Sequence, residues 1–160
     1  MLGELENKVM KLVDFIIILL MFSLVFLVFF QVINRFLLQI PAAWTEEMAR
    51  YNFVWVSLYG SVKALNEKSH LSVDVIVETM KSERGKMIID VISSSLIVVF
   101  ASVLLVTGYM YTVNNFGVDC EFGPFPLSII YSAVPISAFL LLMVSVKHIF
   151  NDIVTLGRDW

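Results

Sequence analysis

A single cysteine, Cys120, in 160 residues excludes an internal disulfide and any metal site built from several thiolates. Histidine is almost as scarce. His70 and His148 are the only two, and both fall outside the apolar stretches where paired ligation of a membrane haem would need them. The seven glycines form no phosphate-cradling motif, and no serine, cysteine or lysine has an activating partner for nucleophilic chemistry. Charge is sparse at 16% of residues, and a net charge of -3 gives no reason to expect a nucleic-acid partner. No internal repeat, low-complexity stretch or inverted symmetry of the kind many transporters use occurs. These absences predict no catalytic residue, no metal and no cofactor in this chain, which is not expected to be an enzyme.

What is present is apolar. With 59% hydrophobic residues and a mean hydropathy of +0.86, a chain this short cannot hide its surface in a water-soluble core. Uncharged runs cover residues 15–34, 91–118 and 122–146, which are 20, 28 and 25 residues long. Each reaches the roughly 20 residues that cross about 30 Å of hydrocarbon. A fourth stretch, 44–65, opens with Trp44, Thr45, Glu46, Glu47 and Arg50, and its uncharged centre from 51 to 62 is only 12 residues long. Its charged ends must therefore belong to the span.

The expected fold is an all-α integral membrane protein, one domain over residues 1–160, with four transmembrane helices at about 12–38, 44–65, 83–113 and 126–150. Lys8 and Lys11 precede the first run as they would in a signal peptide, but the run is too long and no Ala-x-Ala site follows, so it reads as an uncleaved first helix. Four spans gather Lys8, Lys11, Lys63, Lys68, Lys81, Arg84, Lys86, Lys147 and Arg158 on one side and leave Arg35 and Arg50 on the other. The positive-inside rule then places both termini in the cytoplasm. Between helices 2 and 3, Val73, Ile76, Val77 and Met80 recur at helical spacing, which predicts a short amphipathic cytoplasmic helix at about 72–81 on the inner membrane surface.

Function has to be sought on helix faces and in loops. On a helical wheel Arg50, Phe53, Ser57, Gly60, Ser61 and Ala64 fall within about 60° of Glu46, giving a small, polar stripe that lets another backbone approach closely. Tyr51, Trp55, Leu58 and Val62 lie opposite, suited to lipid or a large apolar neighbour. Glu46 and Arg50, at i and i+4, either pair as an interfacial anchor or meet another subunit. In the third helix Ser93, Ser94, Ser95, Ser102 and Thr107 suggest a small packing face. Ser128, Ser132, Ala133 and Ser137 do the same in the fourth, where Pro135 predicts a mid-helix kink. Gln31 reads as a hydrogen bond to a neighbouring helix. His70 and Asp74 make a poor metal site and read better as loop-fixing residues. Asp119 and Glu121 sit in an outward turn, either simply solvated or against a partner outside the membrane.

The residues also resemble a family: the small membrane subunit, DctQ type, of tripartite ATP-independent periplasmic (TRAP) transporters. The resemblance is carried by Glu46, Glu47, Ala49, Arg50, Trp55 and Gly60 in the second helix, His70, Val73 and Asp74 in the loop, and Pro126, Tyr131, Pro135 and Ile136 in the fourth. A glycine common in the family soon after Pro135 is Ser137 here. The resemblance implies a non-catalytic subunit in the bacterial cell inner membrane, in contact with its lipids. It would pack on the scaffold of a large elevator-type DctM subunit that carries the substrate and sodium sites. A soluble periplasmic DctP-type protein would deliver an organic acid, such as a C4-dicarboxylate or sialic acid, and Arg35, Trp44, Asp119 and Glu121 would contribute to its docking platform. Subunit-interface or structural candidates are Glu46, Glu47, Arg50, Ser57, Gly60, Ser61, Ala64, His70, Asp74 and Pro135. The alternatives are a small four-helix multidrug exporter, for which Asp14 is the only available carboxylate, and a membrane anchor of a redox enzyme, which the histidine positions disfavour.

Overall fold

No glycine or proline falls between Glu4 and Ile33, and nothing interrupts the first helix of the computed structural model, α1 (Leu2–Ile33). It ends in a π-helical turn, Asn34–Leu38. There follow α2 (Ala43–Asn66), α3 (Glu83–Asn114), the short α4 (Leu127–Tyr131) and α5 (Ala133–Arg158). The structure describes residues 2–38, 43–67, 83–120 and 126–158. The predicted surface helix at 72–81, with its Asp74, the preceding His70, and Glu121 lie outside the described residues.

On α1 and the π-helical turn that follows it, Met10, Val13, Ile17, Leu20, Leu24, Leu27, Gln31 and Asn34 are buried or half-buried. Their alternating three- and four-residue spacing is the seam of a coiled-coil-like pair, and the partner is α2. The other side of α1 is apolar and bare, with Phe15, Phe22, Phe26 and Phe29 at 63%, 76%, 61% and 65% exposure. Water would not tolerate a face of that kind. α3 packs along α5, and α2 joins the two hairpins by lying against α5. Where the long helices converge, Met10, Val62, Leu65, Ala101, Leu141 and Val144 form the core.

Among the described residues, three helical stretches are long and apolar enough to cross a membrane: Asn7–Leu37, Ile89–Asn114 and Leu127–Phe150. The chain is a multi-pass membrane protein. α2 matches them in reach, since its 24 residues span about 36 Å at about 1.5 Å each, but not in hydropathy.

The fourth expected helix is divided. Pro135 has no N–H to give the Tyr131 carbonyl, and the chain turns at Ser132, whose N–H bonds Ser128 O at 3.0 Å while its carbonyl accepts from Ile136 N at 3.2 Å. Pro135 thus falls in the first turn of α5, where an N–H is dispensable, and not in the middle of a kinked helix. Before the break, Gly117 adopts φ +87° to close α3, and Leu127 N–H bonds Val118 O at 2.8 Å.

Of the serines and threonine expected to pack α3, Ser94 is buried and Ser93 half-buried, whereas Ser95, Ser102 and Thr107 are exposed. Those three donate to the carbonyl four residues back at 2.7 Å, so a hydroxyl facing hydrocarbon is satisfied without a neighbour. Ala101 and Gly108 take the packing positions instead. In α4 and α5, Ser128, Ala133 and Ser137 are buried.

Candidate functional site

The two faces of α2 have different neighbours. Thr45, Ala49, Tyr59, Val62 and Leu65 are buried against the chain's own helices. Trp55, on the face expected to meet lipid or a large neighbour, donates its indole N–H to Ile130 O at 3.1 Å. The apolar neighbour is therefore α4 and α5, and the indole supplies a donor beside the helix break. The opposite stripe is open. Glu46, Arg50, Phe53, Ser57 and Ser61 are exposed, and a Cβ added at Gly60 would meet nothing within 4 Å. Ser57 and Ser61 donate to Phe53 O at 2.9 Å and Ser57 O at 2.8 Å, while Ala64 is half-buried. Arg50 reaches Glu46 at 3.5 Å, with both side chains about two-thirds exposed at 69% and 64%.

Glu47 leaves that stripe. One carboxylate oxygen accepts from the Tyr51 hydroxyl at 2.5 Å, and the other is buried with no donor among the described residues. Nearby is Cys120, buried at the end of the 115–120 turn. Burial pushes its thiol up from the ordinary range, and the Glu47 and Asp119 carboxylates push it further. At the same end Trp44 leans on Phe30 with centroids 6.1 Å apart, Arg35 is exposed on the π-helical turn, and Asp119 is exposed opposite Pro126. The described candidates for docking thus share one end of the molecule.

The family described as "Tripartite ATP-independent periplasmic transporters, DctQ component" matches residues 24–155, from within α1 through most of α5. The chain belongs to the DctQ family. It is similar to a TRAP transporter small permease protein of Haemophilus influenzae, 27% identical over 161 residues that cover 98% of this chain and 95% of that one. Similar too is the sialic acid TRAP transporter small permease protein SiaQ of Vibrio cholerae, 22% identical over 94% of this chain and 85% of that one. A 66-residue piece, 38% of this chain, is 32% identical to 10% of the isethionate TRAP transporter permease protein DctMQ of Oleidesulfovibrio alaskensis. As a DctQ protein this chain is a component of a transporter and not an enzyme.

Of the described residues that carried the resemblance to this DctQ family, Glu47 accepts from Tyr51, Trp55 donates to Ile130 O and Tyr131 ends α4 ahead of the break, whereas Glu46, Arg50 and Gly60 lie on the open stripe. Other polar contacts were not anticipated. Asn52 reaches α1, where its amide lies 2.9 Å from Ser23 Oγ and, in the orientation that satisfies both its ends, 3.2 Å from Leu20 O. Gln31, expected to bond across the helices, has no hydrogen bond among the described residues. Lys63 holds Asp14 across the same seam at 2.7 Å and Glu67 along its own helix at 3.1 Å. The available signal for Asn52 was its position as the one amide in the uncharged centre of α2.

Proposed function

We propose that this chain is the non-catalytic small permease subunit of a sodium-driven TRAP transporter for organic acids. It crosses the bacterial inner membrane four times with both termini in the cytoplasm, and α2 presents its open stripe to the scaffold of a large DctM-type subunit. The observation that carries this reading is the stripe itself. A charged pair in the first two turns of a helix between membrane spans gains little from lipid, and two serines and an uncovered glycine on the same face let another helix backbone approach closely. α2, too polar to be a span on its own, becomes one when that face is covered. The names of the sialic acid and isethionate relatives support an organic acid as cargo. Substrate and sodium then bind in the large subunit, and this chain broadens the immobile scaffold against which the transport domain slides.

The ion pair with Lys63 weighs against the exporter alternative, because the carboxylate that would exchange protons for cations is already engaged. Co-expression with a DctM-type large subunit from the same organism tests the proposal: the two are expected to purify together in mild detergent, and separation overturns it. Solute accumulation by vesicles holding this chain alone would overturn it equally. For docking of the periplasmic DctP-type protein, Arg35→Glu is expected to weaken uptake while the membrane complex stays assembled. Unchanged uptake removes Arg35 from the platform.

A further inference from the structure

Gly108 marks a close approach of α3 to the broken helix. A Cβ built there would stand 2.8 Å from Val134 Cγ1 and 3.2 Å from Pro135 Cδ. Nearly one turn along α3, Tyr111 meets Tyr131 edge-on with centroids 4.9 Å apart and planes at 81°, and these two rings prop the elements open. Between pinch and prop lies a groove of about 210 Å³ lined by Thr107, Gly108, Tyr111, Tyr131 and Val134. The Thr107 hydroxyl is satisfied by Val103 O at 2.7 Å. Neither phenol hydroxyl has a hydrogen-bond partner among the described residues.

The surroundings decide what fits. Val103, Val106 and Met110 on α3, with Ile136 and Phe139 on α5, are all exposed and apolar, so the groove opens onto a hydrocarbon-facing surface. Bulky and β-branched side chains around it keep a second helix backbone at a distance, unlike the small stripe of α2. A slim, flexible chain can enter where a helix cannot. Left empty, the groove would forfeit the dispersion contacts of its lining. Tyr111 lies three residues from the end of α3 at Asn114, at the level where aromatic rings collect at membrane interfaces, and Gly108 lies deeper. The groove therefore runs from interface to acyl region, with its unpaired donors at the interface end. We propose that it binds one acyl chain of a glycerophospholipid, with the hydroxyls of Tyr111 and Tyr131 donating to the lipid's ester or phosphate oxygens.

The test uses the full chain in phosphatidylcholine vesicles doped with phosphatidylglycerol bearing a photoreactive diazirine on one acyl chain, followed by peptide mapping. Adducts are expected to concentrate on 107–111 and 131–134, to saturate with dose, and to exceed those on Val99 and Phe100 severalfold. Thr107→Trp, which fills the groove, should abolish the excess. Tyr111→Phe with Tyr131→Phe keeps both rings and should lower it about three- to tenfold, the worth of one or two modest hydrogen bonds. Adducts spread evenly over the exposed surface would mean annular lipid only and overturn the site. So would an excess that survives both variants, or adducts that disappear from the complex purified with a large subunit, which would assign the groove to a protein helix.

Discussion

Lys63 is placed so that its one charge answers two. It reaches Asp14 from the next helix at 2.7 Å and Glu67 one turn along at 3.1 Å, with its side chain 28% exposed and that of Asp14 39%. Such half-sheltered pairs fall between surface bridges worth at most about 1 kcal/mol and buried ones whose breaking costs about 3 to 5 kcal/mol. Lys63→Met should therefore destabilise the detergent-solubilised chain by about 1 to 2 kcal/mol, read as a lowered midpoint of thermal unfolding. Adding Asp14→Asn should recover part of the loss, because the stranded carboxylate goes with it. Cys120 supports a pH prediction. Its thiol is pushed up first by burial, then by the Glu47 and Asp119 carboxylates, so the reactive thiolate is scarcer at neutral pH than in an exposed cysteine. Iodoacetamide labelling should be slow at neutral pH and rise about tenfold per pH unit until the raised value is passed, and Glu47→Gln should speed it. Neither contact was legible in sequence: Asp14 and Lys63 are separated by 49 positions and Glu47 and Cys120 by 73, and only folding brings them together.

At the scale of elements, the pairing of α3 with α5 turns on Gly108. Overpacking a tight helix contact costs about 1 to 3 kcal/mol, so Gly108→Val should loosen this pair by that amount, despite the gain from removing a helix glycine. Hydrogen exchange at residues 105–112 and 134–141 should quicken together. The sequence offered a clue in Gly108, the one glycine of α3 within its uncharged stretch, where a glycine usually has a packing reason. The serines drew attention instead, and three of the five hydroxyl residues named on α3 face outward because each can bond its own backbone. The division at Ser132 was half legible. Pro135 announced a disturbance, but its form depended on Trp55 of α2 supplying a donor to Ile130 O, a partner that only the assembled fold provides.

For the whole molecule, the unequal faces of α2 separate what holds the chain together from what it offers outward. Gly60→Leu enters open space, so the isolated chain should change by no more than about 0.5 kcal/mol, as surface substitutions do. On the proposed function it should nonetheless reduce recovery of the large subunit in co-purification by an order of magnitude, because a backbone can no longer approach. Equal recovery would move the interface elsewhere. The same substitution at Gly108 should behave oppositely, damaging the chain whether or not a partner is present.

Hydrophobic runs and their lengths settled by themselves that this is a helical membrane protein, because hydrocarbon must be crossed by helices long enough to span it. Spacing along α2 divided a polar stripe from an apolar one, since a helix repeats about every 3.6 residues whatever surrounds it. Which stripe turns inward was another matter. It depended on α4 and α5 arriving with a carbonyl for Trp55 and with Leu141 and Val144 to join Val62 in the core, and no local pattern can specify contacts made across 75 residues of chain.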